Sequence, residues 1–478
     1  MIPEKENFIL ANKLVIYNNF AEINEWTGRL FAELQVYPIP RILWDFEILG
    51  ENVDQFGNFF TDTNEQGLLK DFFLGYFLEV ELLKLGEIHF GVDISSKATG
   101  SAFRCYLDDP QAGAHTFYFC LTNTRFQRVF HCNVLEENCE GGIIEEIPLN
   151  SIWAVRLEID KKACKWLDIR KDNIGVHLTG LGTLSQLKVN DEVEDFPESL
   201  TTFTIIEAQE ILENLCLLLS YANGGFVAPI FIEGEKYNKY ELEDIDLENQ
   251  NFIGTETTSK LISTGYQFTS LEQLGESWLT EDSNLENFIS CFSNFEKMLD
   301  KPFWKDTFYF VLVQYFQAIS SKNWELAASA TGAALERLSH AILVEDETDP
   351  MRRVDFENLF SRDRRLRDSA NQRLGRGTNV TATRLRLLLE RIGLNTDETQ
   401  EVRNFLDVRN DSVHSRVSGM IQNQRWQLIR RGIQWIDEVL LWRLGYEGKY
   451  LDRIAGFAVE LRYDLSLRAP CEKETYPC

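Results

Sequence analysis

No two cysteines in the sequence have CxxC spacing, and the nine present (105, 120, 132, 139, 164, 216, 291, 471, 478) are odd in number. This argues against a disulfide framework and gives little support to zinc. The nearest thing to a metal cluster, His131 and Cys132 with Cys139, lies among expected strands and reads as ordinary half-buried side chains. No metal ligands and no cofactor are assigned. Long apolar runs are missing too: the richest, Phe308 to Phe316, is interrupted by Gln314 and falls short of the roughly 18 residues of a transmembrane helix. The opening Met-Ile-Pro-Glu-Lys-Glu-Asn has no basic region followed by an apolar run, so the expectation is a cytoplasmic protein without signal peptide or membrane. A phosphate loop is also lacking, since Gly141-Gly142 and Gly224-Gly225 are followed by no lysine motif and mark turns instead.

What is abundant is acid, and it is unevenly placed. Of a net charge of −27, residues 301–478 hold 27 Lys and Arg against 25 Asp and Glu, leaving 21 against 50 in residues 1–300. Two parts with such different electrostatics imply two jobs. The acidic part repels nucleic acid and favours either a basic partner or plain solubility. A local basic site for RNA in the second part is still compatible with this balance.

A chain of 478 residues exceeds one core and suggests two or three domains. The expected class is α+β. Residues 1–300 read as a β-rich acidic region, an antiparallel sandwich or barrel that splits near 200. Strands are expected at Glu87–Ile94, Ala102–Leu107, His115–Leu121, Val129–Leu135, Trp153–Ile159 and Ile174–Leu178. A helix from Ile205 to Tyr221 stops on Asn223-Gly224-Gly225, a strand covers Phe226–Ile232, residues 235–260 read as a polar excursion, and a helix spans about Leu285–Leu299.

From 301 to 445 the chain reads as a helical bundle, and 446–478 as a tail. Pro302 opens a helix whose Phe308, Val311, Leu312, Tyr315, Phe316 and Ile319 recur at helical spacing. A second, Trp324–Val344, carries the small residues Ala327, Ala330, Gly332, Ala333 and Ala334 for close contact. A third spans Ala382–Ile392, a fourth Thr396–Ser415 with Asp397 and Gln400 placed as a capping box, and a fifth Ile421–Leu444. Between the second and third lies Ser361–Asn379, with Arg362, Arg364, Arg365, Arg367, Arg373 and Arg376. It is either a phosphate-gripping loop or a solvated helix face. Lacking aromatics, it is no platform for base stacking.

The chemistry-bearing stretch is Arg409-Asn410-Asp411-Ser412-Val413-His414, within the fourth helix. Val402, Phe405, Leu406 and Val413 define a core-facing stripe, and Arg409 lies in its middle. A guanidinium is rarely buried without a partner. The spacing alone is weak, because a basic residue five before a histidine is expected about 0.6 times by chance in this composition, and Lys84 with His89 supplies such an accident. An internal role also fits: Arg409 paired with Glu336 or Asp407, and His414 at a helix end.

A bundle of this length with Arg-Asn-x-x-x-His near the end of its penultimate long helix resembles a HEPN domain. The extended region before it and the helix ending Ala334-Leu335-Glu336-Arg337-Leu338 resemble, more narrowly, the ApeA-type anti-phage proteins. The resemblance implies metal-independent RNA cleavage at a composite site made by a homodimer or higher oligomer of the bundle. Arg409, Asn410 and His414 match the motif as catalytic residues, Glu336 is a supporting residue, and the arginines of 361–379 are RNA-binding. It implies an abortive-infection effector whose N-terminal region senses a phage-derived trigger. A non-catalytic HEPN adaptor for RNA or protein is the alternative, and a carbohydrate- or peptide-binding sandwich fused to an oligomerising bundle is a third reading.

Overall fold

The computed structural model describes residues 13–23, 26–35, 41–49, 68–69, 77–85, 89–90, 94–122, 142–159, 178–186, 202–240, 252–263, 269, 273–280, 282–346, 350–374, 380–394, 399–414 and 420–467. The chain forms two compact units, Met1–Leu217 with Phe226–Glu272, and Leu218–Gly225 with Gln273–Cys478.

The first unit is built from β1 (Lys13–Ile23), β2 (Trp26–Gln35), β3 (Arg41–Leu49), β4 (Leu68–Leu69), β5 (Phe77–Leu85), β6 (His89–Phe90), β7 (Ile94–Asp108), β8 (Thr116–Thr122), β9 (Gly142–Pro148), β10 (Trp153–Ile159) and β11 (Leu178–Gln186). Helix α1 (Ile205–Asn223) follows, then β12 (Pro229–Tyr240) and β13 (Phe252–Ser263). The described strands join in one antiparallel sheet along the path β1-β2-β3-β7-β13-β12-β8-β11-β10-β9, with β5 and β6 also on β7. Strand period two sets the burial: Ile42, Trp44 and Phe46 are buried while Leu43, Asp45 and Glu47 are only half-buried. Phe117, Phe119, Leu121, Trp153, Val155 and Leu157 supply more of this core. The sheet branches at β7, where Ala98–Ser101 pair with β3 on one side and β5 on the other, and Arg104–Asp108 pair with β13.

Two expectations for this unit are corrected. Residues 235–260 are no excursion: β12 and β13 form a long hairpin from Phe231 opposite Ile262 to Tyr240 opposite Phe252, with a bulge at Gly234/Glu235. Its Thr, Tyr, Ile and Phe favour strands, and its charged residues, such as the exposed Lys236 and Glu256, suit the wet face of an antiparallel sheet. Glu87–Ile94 is not one strand, because β6 turns back to set Phe90 opposite Ile94. The strand expected at Val129–Leu135, and all of Ile174–Leu178 except Leu178, lie outside the described residues, as does the His131, Cys132 and Cys139 group. Helix α1 starts at a reciprocal cap, Thr204 N–H donating to Glu207 Oε2 at 2.7 Å and Glu207 N–H to Thr204 Oγ1 at 3.3 Å. It ends where Gly224 takes φ +74°, a conformation that favours glycine.

The second unit contains α2 (Leu285–Ile289), α3 (Phe292–Leu299), α4 (Pro302–Ser320), α5 (Trp324–His340), a π turn (Ala341–Glu345), α6 (Pro350–Phe360), α7 (Arg364–Arg373), α8 (Val380–Arg391), α9 (Thr399–His414) and α10 (Gln422–Leu444). The hairpin β14 (Tyr450–Asp452) and β15 (Phe457–Val459) follows. One helix was expected over Leu285–Leu299, and the chain instead breaks at Ser290 and Cys291 between α2 and α3. The arginine-rich stretch is no loop through Leu374: Asp363 caps α7 by accepting from Arg365 N–H at 2.7 Å. Residues 375–379, Asp397 and the final residues 468–478, with Cys471 and Cys478, lie outside the described residues.

The small side chains Ala327, Ala328, Ala330 and Ala334, all buried, let neighbouring helices close on α5. Below them lies an aromatic centre of Tyr221, Trp278, Phe288, Tyr315 and Tyr446, with Trp278 5.1 Å from Tyr446 and Tyr221 5.4 Å from Tyr315 between ring centroids. One buried ion pair ties distant segments into it. Arg453 donates Nε to Asp437 at 2.6 Å, one terminal nitrogen to Tyr315 Oη at 2.7 Å and the other to the Glu276 carbonyl at 2.9 Å. Tyr221 Oη donates to Asp437 Oδ1 at 3.2 Å. Burial pulls the Arg453 pKa down, but the adjacent Asp437 carboxylate pushes it up by more, so the guanidinium stays charged. The residues after 445 are thus part of this unit's core, with Tyr450 fully buried and Tyr463 nearly so. Among the described residues no helix is long and apolar enough to cross a membrane.

Candidate active site

Helix α9 packs Val402, Phe405, Leu406 and Val408 into the bundle. The expected stripe fails at its last member: Val413 is 52% exposed. Ser412 Oγ already meets Ser329 Oγ at 3.0 Å, close to the start of α5 at Trp324, so Val413 overhangs the end of its packing partner.

Arg409 lies across α5 at Gly332. A Cβ on Gly332 would stand 2.7 Å from Arg409 Cγ and 3.1 Å from its Nε, so the missing side chain is the seat of the arginine stem. From this seat one terminal nitrogen donates to Glu336 Oε1 at 3.2 Å and the other to Asn410 Oδ1 at 3.3 Å. Ser412 Oγ donates to the Arg409 carbonyl at 2.6 Å, which anchors the backbone one turn before His414. The pair is partly wet, with side chains 25% and 40% exposed, so the contact orients Arg409 more than it stabilises the fold.

Arg409, Asn410 and Glu336 are therefore brought together, and His414 closes the same helix; its side chain is outside the description. Between them sits Asp411, largely buried, whose Oδ2 accepts no hydrogen bond among the described residues. The expected RNA-binding arginines divide. Arg364 and Arg365 are exposed on α7, Arg364 3.7 Å from Asp368. Arg373 is held by an ion pair with Asp355. Arg367 is half-buried with Nε unpartnered among the described residues. Arg376 lies outside them.

Arg409 and Glu336 open onto a pocket of about 280 Å³, part of it solvent, between α5, α8 and α9. Its apolar floor is Leu335, Leu385, Phe405 and Leu406, and its polar rim includes Ser339, Thr381 and Arg384. Arg384 escaped sequence reasoning. Its guanidinium lies 3.9 Å over the Phe360 ring and donates to the Leu359 carbonyl. Burial lowers its pKa, with Glu336 acting the other way and Arg367 adding to the fall, so all three groups share one field. The signal was available: on α8 Arg384 shares a helical face with Leu387 and Leu388, the anomaly that drew attention to Arg409. Among the described residues no three His, Cys, Asp or Glu side chains are grouped to hold a metal ion.

Residues 301–463 match the family model of the YopA C-terminal domain. The match runs through the hairpin to Tyr463, whose hydroxyl donates to the Tyr446 carbonyl at 2.8 Å. No curated protein and no solved structure matches the chain.

Proposed function

We propose that the helical unit is a HEPN-like, metal-independent endoribonuclease of the ApeA type, acting in phage defence. The observation that carries this reading is Arg409, an arginine set into an apolar helix face, held at a pocket mouth by Gly332 and Glu336 beside Asn410, one helical turn before His414. Attack of an RNA 2′-hydroxyl on its own phosphorus needs a proton acceptor, a proton donor and stabilisation of the charge that develops on phosphorus. His414 supplies proton transfer near neutrality, a contribution of roughly 10²–10⁴ in rate. Arg409 presents a fork of donors to the phosphate oxygens, and Asn410 holds that fork. The products are a 2′,3′-cyclic phosphate and a 5′-hydroxyl.

On a straight helix Arg409 and His414 point about 140° apart, so the complete site uses two copies facing across a twofold axis. Exposed Val413, between the two residues, offers the second copy an apolar contact. The β-rich acidic unit, read as a sandwich whose arms fold face to face, restrains the nuclease until a phage-derived component binds. The 3.2 Å pairing of Arg409 with Glu336 favours a second reading, in which the arginine is neutralised and the bundle is an adaptor for RNA or protein.

Cleavage of a mixed RNA pool in EDTA by wild type, His414→Ala and Arg409→Ala separates the two, once all three show the same melting and the same mass. Loss in both variants with cyclic-phosphate ends from wild type supports the nuclease. Wild-type cleavage by His414→Ala removes it.

A further inference from the structure

We propose that Arg384 is a second phosphate-gripping cation of this site, with Arg367 behind it, so that the pocket between α5, α8 and α9 holds a phosphodiester of the RNA strand next to the one that is cut. The proposal rests on the ribonuclease reading and extends it to the substrate. Three observations carry it. First, the pocket gathers Arg384, Arg409 and, through its influence on Arg384, Arg367 around the single carboxylate of Glu336, an excess of positive charge over an apolar floor. Low-dielectric walls strengthen an arginine's pull on an anion.

Second, the contacts of Arg384 use one edge and one face of its guanidinium, the Leu359 carbonyl and the Phe360 ring. Its Nε, like that of Arg367, is buried with no acceptor among the described residues. Buried donors are nearly always satisfied, so these two mark where an acceptor belongs. Third, the size fits: about 280 Å³ with its open part lies below the roughly 300–1,000 Å³ of drug-sized pockets. It takes a phosphodiester with Ser339 and Thr381 at the rim, and leaves the base outside. Sequence-tolerant backbone binding follows, in keeping with the absence of a stacking platform on α7.

The experiment uses the full chain. Binding of a 2′-O-methyl RNA oligonucleotide, which lacks the attacking hydroxyl, is followed by fluorescence anisotropy from 50 to 300 mM salt for wild type, Arg384→Gln and Arg367→Gln. In parallel, kcat and KM are measured on cleavable RNA, with Arg409→Ala and His414→Ala as controls. The expected result is a salt slope smaller by about 1 in each glutamine variant, with KM raised roughly tenfold and kcat changed far less. A merely structural tether between Arg384 and α6 lowers the melting temperature and leaves the salt slope alone, and that result overturns the proposal. Should Arg384→Gln fail to fold, Arg367→Gln decides, and an unchanged slope there is equally fatal. If the glutamine variants bind and cleave like wild type while His414→Ala is dead, this inference fails and the nuclease stands. If His414→Ala cleaves normally, the nuclease fails, while the binding slopes still judge the anion pocket.

Discussion

Replacing Gly332 with alanine tests whether the seating of Arg409 sets activity. The new Cβ stands 2.7 Å from Arg409 Cγ and 3.1 Å from its Nε, closer than side chains pack. Because Cγ lies at the root of the side chain, the guanidinium cannot dodge by rotating its tip, and it shifts by about 1 Å. A misplacement of that size costs on the order of 10²-fold in rate. Stability moves much less: an interior helical Gly→Ala change favours the helix by about 1 kcal/mol, set against overpacking strain of roughly 1–3 kcal/mol. The expected outcome is RNA cleavage in EDTA reduced about 100-fold, with a melting temperature within a few degrees of wild type. The Glu336 contact, 3.2 Å in the wild type, is lost with the shift. Wild-type cleavage by a folded Gly332→Ala protein would refute the reasoning, since the arginine would then be free to move without consequence.

Two further outcomes concern the fold around the site. Arg453→Met leaves Asp437 buried without its cation, which destabilises by about 3–5 kcal/mol and is read from the midpoint of urea unfolding; an unchanged midpoint would mean that the buried network contributes nothing. Burial tends to raise the Asp452 pKa, but the backbone N–H groups of Ala455 and Ile454 more than offset this and hold it below the ordinary carboxylate value. A depressed carboxyl stabilises the fold above its unfolded pKa of about 4 and loses that contribution as pH falls through the folded value. The melting-temperature gap between wild type and Asp452→Asn should therefore narrow from pH 7 to pH 3, and a gap that widens contradicts this assignment.

Periodicity made the helices that pack by apolar stripes legible, because Phe308, Val311, Leu312 and Tyr315 are all buried where a 3.6-residue period puts them. It was blind to α7, whose outward face is almost wholly charged and whose start is set by one aspartate cap. The β12–β13 hairpin was missed for a related reason: its lysines and glutamates hide an alternation that hydrogen bonds enforce. At the site, Arg409 and its Glu336 partner were readable as a charge misplaced on an apolar face. Val413 was not, because a helical wheel does not say where the neighbouring helix ends. Arg384 fell between, visible by the same rule but hidden in a stretch rich in arginine.

The Arg453 clamp also sets a time. Tyr221 donates to a carboxylate 216 residues later, and that carboxylate is neutralised only by Arg453, so closing the core is a long-range event with a correspondingly high entropic cost. A ribosome making the chain delivers Arg409, Asn410 and His414 before it delivers this arginine. Until Arg453 has been synthesised and has left the ribosome, the helices that carry the motif lack their keystone. The nascent chain is thereby kept from assembling a nuclease beside the RNA that encodes it.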